Sequence, residues 1–231
     1  MGARSLAGAL ATQSKREDSI AESETKMKTE DFVTKFKQSS KYKVFKGVLF
    51  KKIENENSAK LILETNLGKL DHDHLSKIFG LVDECYSSEA CHVKPGPWFG
   101  RLLKPNARNI FETDCYHINK WFNILFNDHI SLAERIDKLR TDPYRIKGLN
   151  VGFITLVLYL LDNSKHLIWL KDHHDGLRIL DRELIQFNGK GEQYNVFNDY
   201  AKNFAKQYSF DHAELDYVFS GIKYVVRGNY Y

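Results

Sequence analysis

The sequence predicts a mainly α, single-domain protein, and three observations predict it. Apolar residues recur at three- and four-residue spacing, as in Ile118, Trp121, Phe122, Leu125 and Phe126. Helix-start chemistry precedes such runs, most plainly at Ser131 with Glu134 three residues later, a capping box. Only four prolines interrupt 231 residues, and an aromatic share of 13% argues for a packed core.

Taken in order, residues 1–28 are rich in Ser, Ala, Lys and Glu without a sustained hydrophobic period, which predicts a disordered leader before a globular domain over 29–231. Phe32 and Phe36 sit four apart, predicting a short amphipathic helix capped by Thr29 or Asp31. The stretch "KVFKGVLFKKI" is ambiguous between strand and helix because Gly47 interrupts either pattern, so a minor β element is expected near 43–66. Leu75, Ile78, Phe79 and Val82 are spaced for a helix, with Asp71 or Asp73 as its cap. Two more helices are expected around Trp121 and from Ser131. Late in the chain Val196, Phe197, Tyr200, Phe204 and Tyr208 share one helical face, and "AELDYVFSGIKYVV" closes the fold, with Gly221 ending its helix.

A net charge of +4, with 28% charged residues, permits an anionic partner without requiring one. Three cysteines, Cys85, Cys91 and Cys115, are too few for a disulfide framework and fit a reducing, cytoplasmic setting. The longest apolar run, "VGFITLVLYLL" at 151–161, falls short of the roughly 20 residues a membrane span takes.

The most informative stretch is "DPYRIKGLNVGFITLVLYLL", from 142 to 161. Asp142 before Pro143 reads as an N-cap followed by an N1 proline, Gly148 as the left-handed residue that ends that short helix, and Phe153 as the start of an apolar one. A helix N-terminus exposed at so tight a turn attracts phosphate oxygens, and Arg145 and Lys147 flank it. The pattern resembles the helix-hairpin-helix motif of DNA-binding proteins: Ile146, Lys147, Gly148 and Leu149 match in order. Asn150 stands where the motif has its second glycine, and asparagine is the next best residue at positive φ. The resemblance implies DNA backbone contacts from Arg145, Lys147, Gly148, Asn150 and Gly152.

A wider stretch, roughly 95–220, is similar to a helical module of McrB-type restriction NTPases and related prokaryotic defence proteins. The matching features are "GPWFGRLLKPNARNIF" upstream, Leu161-Asp162, Ile168-Trp169, Gly176-Leu177 and the helix ending near Tyr208. The chain has no Walker A sequence, so the resemblance implies a non-enzymatic DNA-binding or accessory module, with DNA and a protein of a defence system as partners and no cofactor.

Candidate chemistry centres on "LIWLKDHHDGLRIL", 167–180. Helix-hairpin-helix glycosylases carry a catalytic aspartate at a position that falls near Asp172. The lysine of their lyase members would fall at Gly152, so only a monofunctional enzyme fits that resemblance. The plainer alternative makes Asp172 a helix N-cap, with Ile168 and Trp169 pointing inward. A two-metal site at His173 and His174 would need further aspartates converging on it. The only candidates, Asp71 and Asp73 in "LDHDHL", precede a helix and not a sheet. Cys85, Cys91, His92, Cys115 and His117 match no compact zinc spacing, and no metal site is expected. Trp98, Phe99, Arg101, Lys104 and Arg108 mix aromatics with cations, either as a base-stacking surface or as core residues with solvated charges. A protein-interaction module without nucleic acid is the third reading.

Overall fold

The computed structural model describes residues 28–84, 109–180 and 189–226. Its elements in chain order are α1 (Thr29–Gln38), α2 (Ser40–Asn66), α3 (His72–Glu84), α4 (Cys115–Leu125), α5 (Leu132–Leu139), α6 (Val151–Leu161), α7 (Lys171–Ile179), α8 (Lys190–Tyr208), a 3-10 turn (His212–Glu214) and α9 (Leu215–Val226). Among the described residues there is no strand, and no helix is long and apolar enough to cross a membrane.

The β element expected near 43–66 is replaced by one 27-residue helix, α2. Its buried stripe is Tyr42, Phe45, Leu49, Lys52, Glu56, Ala59 and Leu63, a strict alternation of three- and four-residue steps. Two members of that stripe are charged, which is why apolar periodicity alone breaks the segment up. Gly47 lies on the exposed side, where a side chain would meet nothing, so it need not interrupt the helix.

Caps divide between expectation and correction. Asp71 accepts from the His74 amide at 2.9 Å and starts α3 as expected. Ser131 and Glu134 form the reciprocal box that starts α5. In α1 the cap is Lys28 without a side-chain bond, while Thr29 is the first helical residue and Asp31 sits in the first turn. Gly221 does not end α9, which continues to Val226.

The core is organised around α6, whose residues Gly152 to Leu160 are all buried. A helix apolar on every side has no solvent face, so it can only run through the middle of the molecule. Phe153 meets Phe79 of α3 edge-on and packs on Trp121 of α4. Both ends are closed by side chains: Asn150 takes the first amides, and Lys60 Nζ of α2 donates to the Leu161 carbonyl at 2.7 Å. On another side, α9 packs on α7 and α1, and its Tyr217 stacks on Phe45 of α2 at 4.0 Å.

Where α2, α6 and α9 meet, the core is polar. Lys52 Nζ donates to Glu56 Oε1 at 2.5 Å and to the Tyr159 hydroxyl oxygen at 3.2 Å, and stands 3.6 Å from Asp216 Oδ2. The Tyr159 hydroxyl donates to Glu56 Oε2 at 2.8 Å. Burial and the nearby Asp216 raise the Glu56 carboxyl above its usual range, while Lys52 works against that rise.

Close helix approach is set by glycine at Gly191. A Cβ there would overlap the backbone of Ala133, so α8 can cross α5 only without a side chain at this position. Gly191→Ala is therefore expected to force the two helices apart, at about 2 kcal/mol or more. The check is the urea midpoint, which should fall; Gly80→Ala, on an exposed face of α3 where a side chain meets open space, should instead raise it slightly.

Candidate nucleic-acid interface

The turn between α5 and α6 is anchored by alternation. Ile146 and Leu149 are buried, whereas Arg145, Lys147 and Asn150 are exposed. Backbone bonds from Tyr144 N and Arg145 N to the Thr141 carbonyl, and from Leu149 N to the Ile146 carbonyl, hold its course. Gly148 carries φ 103°, a conformation that only glycine takes without strain, in keeping with the left-handed residue expected there.

Two details of the hairpin differ from expectation. Residues 142–144 form a turn around a cis Asp142–Pro143 bond, so no helix begins at Asp142; the preceding helix is α5, ending at Leu139. Asn150 has φ −86° and extended backbone, not positive φ, and works through its side chain. Its Oδ1 accepts from Gly152 N at 3.0 Å and Phe153 N at 3.3 Å. Amides expected to face a phosphate are thus engaged within the chain, and Gly152 itself is buried, with Leu170 Cδ2 lying 3.0 Å from where a Cβ would be.

What the turn does present is cationic. Lys138 Nζ and Lys120 Nζ lie 5.0 Å and 5.7 Å from the Tyr144 ring centroid, Lys138 from α5 and Lys120 from α4. Arg145 follows Tyr144 directly, with Lys147 two residues further on. Among the described residues, neither Arg145 nor Lys147 has a carboxylate within 4 Å. Arg140 lies 3.7 Å from Asp137, but that carboxylate is also held by the amides of Lys190 and Gly191 at the start of α8. Arg145 and Lys147 are legible in the sequence; Lys120, Lys138 and Tyr144 are not. No spacing rule links position 120 to position 144, so only the packing of α4 against α5 brings them together.

The quartet at 172–175 is dispersed rather than gathered. Ile168 and Trp169 are buried, as expected, and so is Leu167, on an extended segment where side chains take the amides of Leu167, by Asn198 Oδ1, and of Trp169, by Thr155 Oγ1. The N-cap of α7 is Leu170, so Asp172 is not the cap but an exposed residue of the first turn, where its charge complements the helix dipole. His173 is fully buried, its Nδ1 donating to the Ile168 carbonyl at 2.9 Å, and burial pulls its pKa down to about 4. His174 and Asp175 are half-buried and 3.8 Å apart.

Among the described residues no three His, Cys, Asp or Glu side chains are grouped to hold a metal. Cys115 is a half-buried free thiol; Cys85, Cys91 and His92 lie outside the described residues, as do Trp98, Phe99, Arg101, Lys104 and Arg108. Comparison with protein-family models, with curated proteins and with solved structures gave no match to this chain.

Proposed function

We propose that this chain is a non-enzymatic DNA-binding or accessory module that holds backbone phosphates on the turn between α5 and α6. The observation that carries the reading is the convergence of Lys120 and Lys138 on the Tyr144 ring, beside exposed Arg145 and Lys147. The ring limits where the two ammonium groups can go, so part of the ordering entropy is already spent before a phosphate arrives. Contact is made by side-chain charge rather than by helix amides, because Asn150 occupies the Gly152 and Phe153 amides. Such contact reads the backbone and not the sequence. The setting implied by the resemblance is an accessory role in a restriction or defence assembly, with DNA as the partner.

The test is duplex binding as a function of salt. Engagement of four phosphates predicts a log–log slope of about −3.6. Lys147→Glu is expected to weaken binding roughly tenfold and to flatten the slope by about one unit. Absence of binding at low salt, or a slope unchanged in Lys147→Glu, would sink the assignment.

A further inference from the structure

A cleft of about 460 Å³ opens where the start of α6, the segment before α7 and the first turn of α8 come together. Its size falls within the range of small-molecule sites, roughly 300–1,000 Å³. Val151 and Leu170 give it apolar walls, and Trp169 a rigid one. The Trp169 indole is fixed by stacking on Tyr194 at 6.2 Å and Phe197 at 5.8 Å, and by the bond from its amide to Thr155.

The charged lining is mostly positive. Lys171 and Lys190 face the cleft, against Asp175, which stands beside His174. Lys190 is held in place: its ammonium sits 5.7 Å from the Trp169 ring centroid and donates to Gln193 Oε1 at 2.6 Å. Gln193 is itself buried, and the Lys190 and Gly191 amides are pinned by Asp137. Both neighbours of the ammonium are neutral, and among the described residues no carboxylate lies within 4 Å of it. A positioned cation without a counter-charge, at the side of an apolar cleft, is the complement of an anion with a flat apolar body.

We propose that this cleft is a binding site for a small planar anion, a phosphate or carboxylate attached to a ring system. The anionic group meets Lys190, and the ring lies against Val151 and Leu170. The assignment is independent of the phosphate-binding turn, since none of Lys120, Lys138, Arg145 or Lys147 lines the cleft.

The experiment titrates the full chain with adenosine monophosphate and, separately, with 1-naphthoate, by calorimetry and by the shift of the Trp169 indole resonance. Binding of either supports the site, and which one binds tells a phosphate from a carboxylate ligand. Adenosine and inorganic phosphate alone should each bind about tenfold more weakly, because each makes half of the contacts. Lys190→Met should weaken binding about tenfold and Lys190→Arg should retain it. Val151→Trp, which fills the cleft from its apolar lining, should abolish binding even if Lys190→Met folds poorly. No binding of either probe at about 5 mM, or equal binding in Lys190→Met and Val151→Trp, overturns the proposal. Lys147→Glu should leave the titration unchanged, so this site and the DNA-binding turn fail separately.

Discussion

Lys52→Met is expected to destabilise the fold by about 3–5 kcal/mol. Lys52 is 2% exposed and stands against Glu56 and Asp216, both buried. Removing the ammonium leaves two carboxylates in the same low-dielectric pocket without the cation that faced both, although the Tyr159 hydroxyl still donates to Glu56 and the Tyr217 amide to Asp216. Glu56 can respond by taking a proton, which limits the loss, but the mutual repulsion has to be relieved by that route. Methionine keeps the length of the side chain, so the cost comes from charge and not from a cavity. Urea unfolding measures it. Lys52→Met combined with Glu56→Leu should regain more than half of the loss, because the pair is then removed together. A loss below about 1 kcal/mol in Lys52→Met would show that the pair carries no such burden.

Acid should destabilise the protein above the ordinary carboxylate range, and buried His173 is a principal contributor. Its imidazole is fully buried between Phe197 and Phe219 and stays neutral in the fold, with a pKa near 4 against 6.5 in an unfolded chain. A histidine held below its unfolded value contributes stability that is complete above pH 6.5 and is lost as pH falls toward 4. The full span corresponds to about 3 kcal/mol, of which about 2 kcal/mol should appear between pH 7 and 5. Glu56 acts in the opposite sense. Its raised carboxyl takes up a proton in the fold first, so its contribution is complete below 4.5 and is lost as pH rises above that. His166, also pulled down to about 4 by burial, acts in the same sense as His173, so the wild-type slope sums several groups and the difference between variant and wild type isolates His173. His173→Phe keeps the ring packing, gives up the bond to the Ile168 carbonyl, and should lose about 2 kcal/mol less than wild type between pH 7 and 5. Parallel pH profiles for the two proteins would remove His173 from this role.

Legibility of the site was uneven for a physical reason. Arg145, Lys147 and Gly148 stood out because a turn imposes its chemistry on adjacent residues, and a positive φ selects glycine at Gly148. Lys120 and Tyr144 are 24 positions apart and meet only because α4 packs on α5. The amides of Gly152 and Phe153 read as available along the chain, yet the Asn150 side chain occupies them. His173 and His174 are adjacent in sequence, yet one is entombed and the other lines a cleft, a difference that helix rotation makes and a motif does not record.

The sequence by itself determined that the protein is mainly helical, that Asp71 and Ser131 start two of its helices, and that an apolar helix follows the turn at Gly148. Those properties follow from local periodicity and capping, which act over three or four residues. Tertiary structure alone decided that 40–66 is one helix. Its stripe contains Lys52 and Glu56, and such residues can be buried only when a remote partner compensates them. Asp216 and Tyr159 supply that compensation from more than a hundred positions away, beyond the reach of any local pattern.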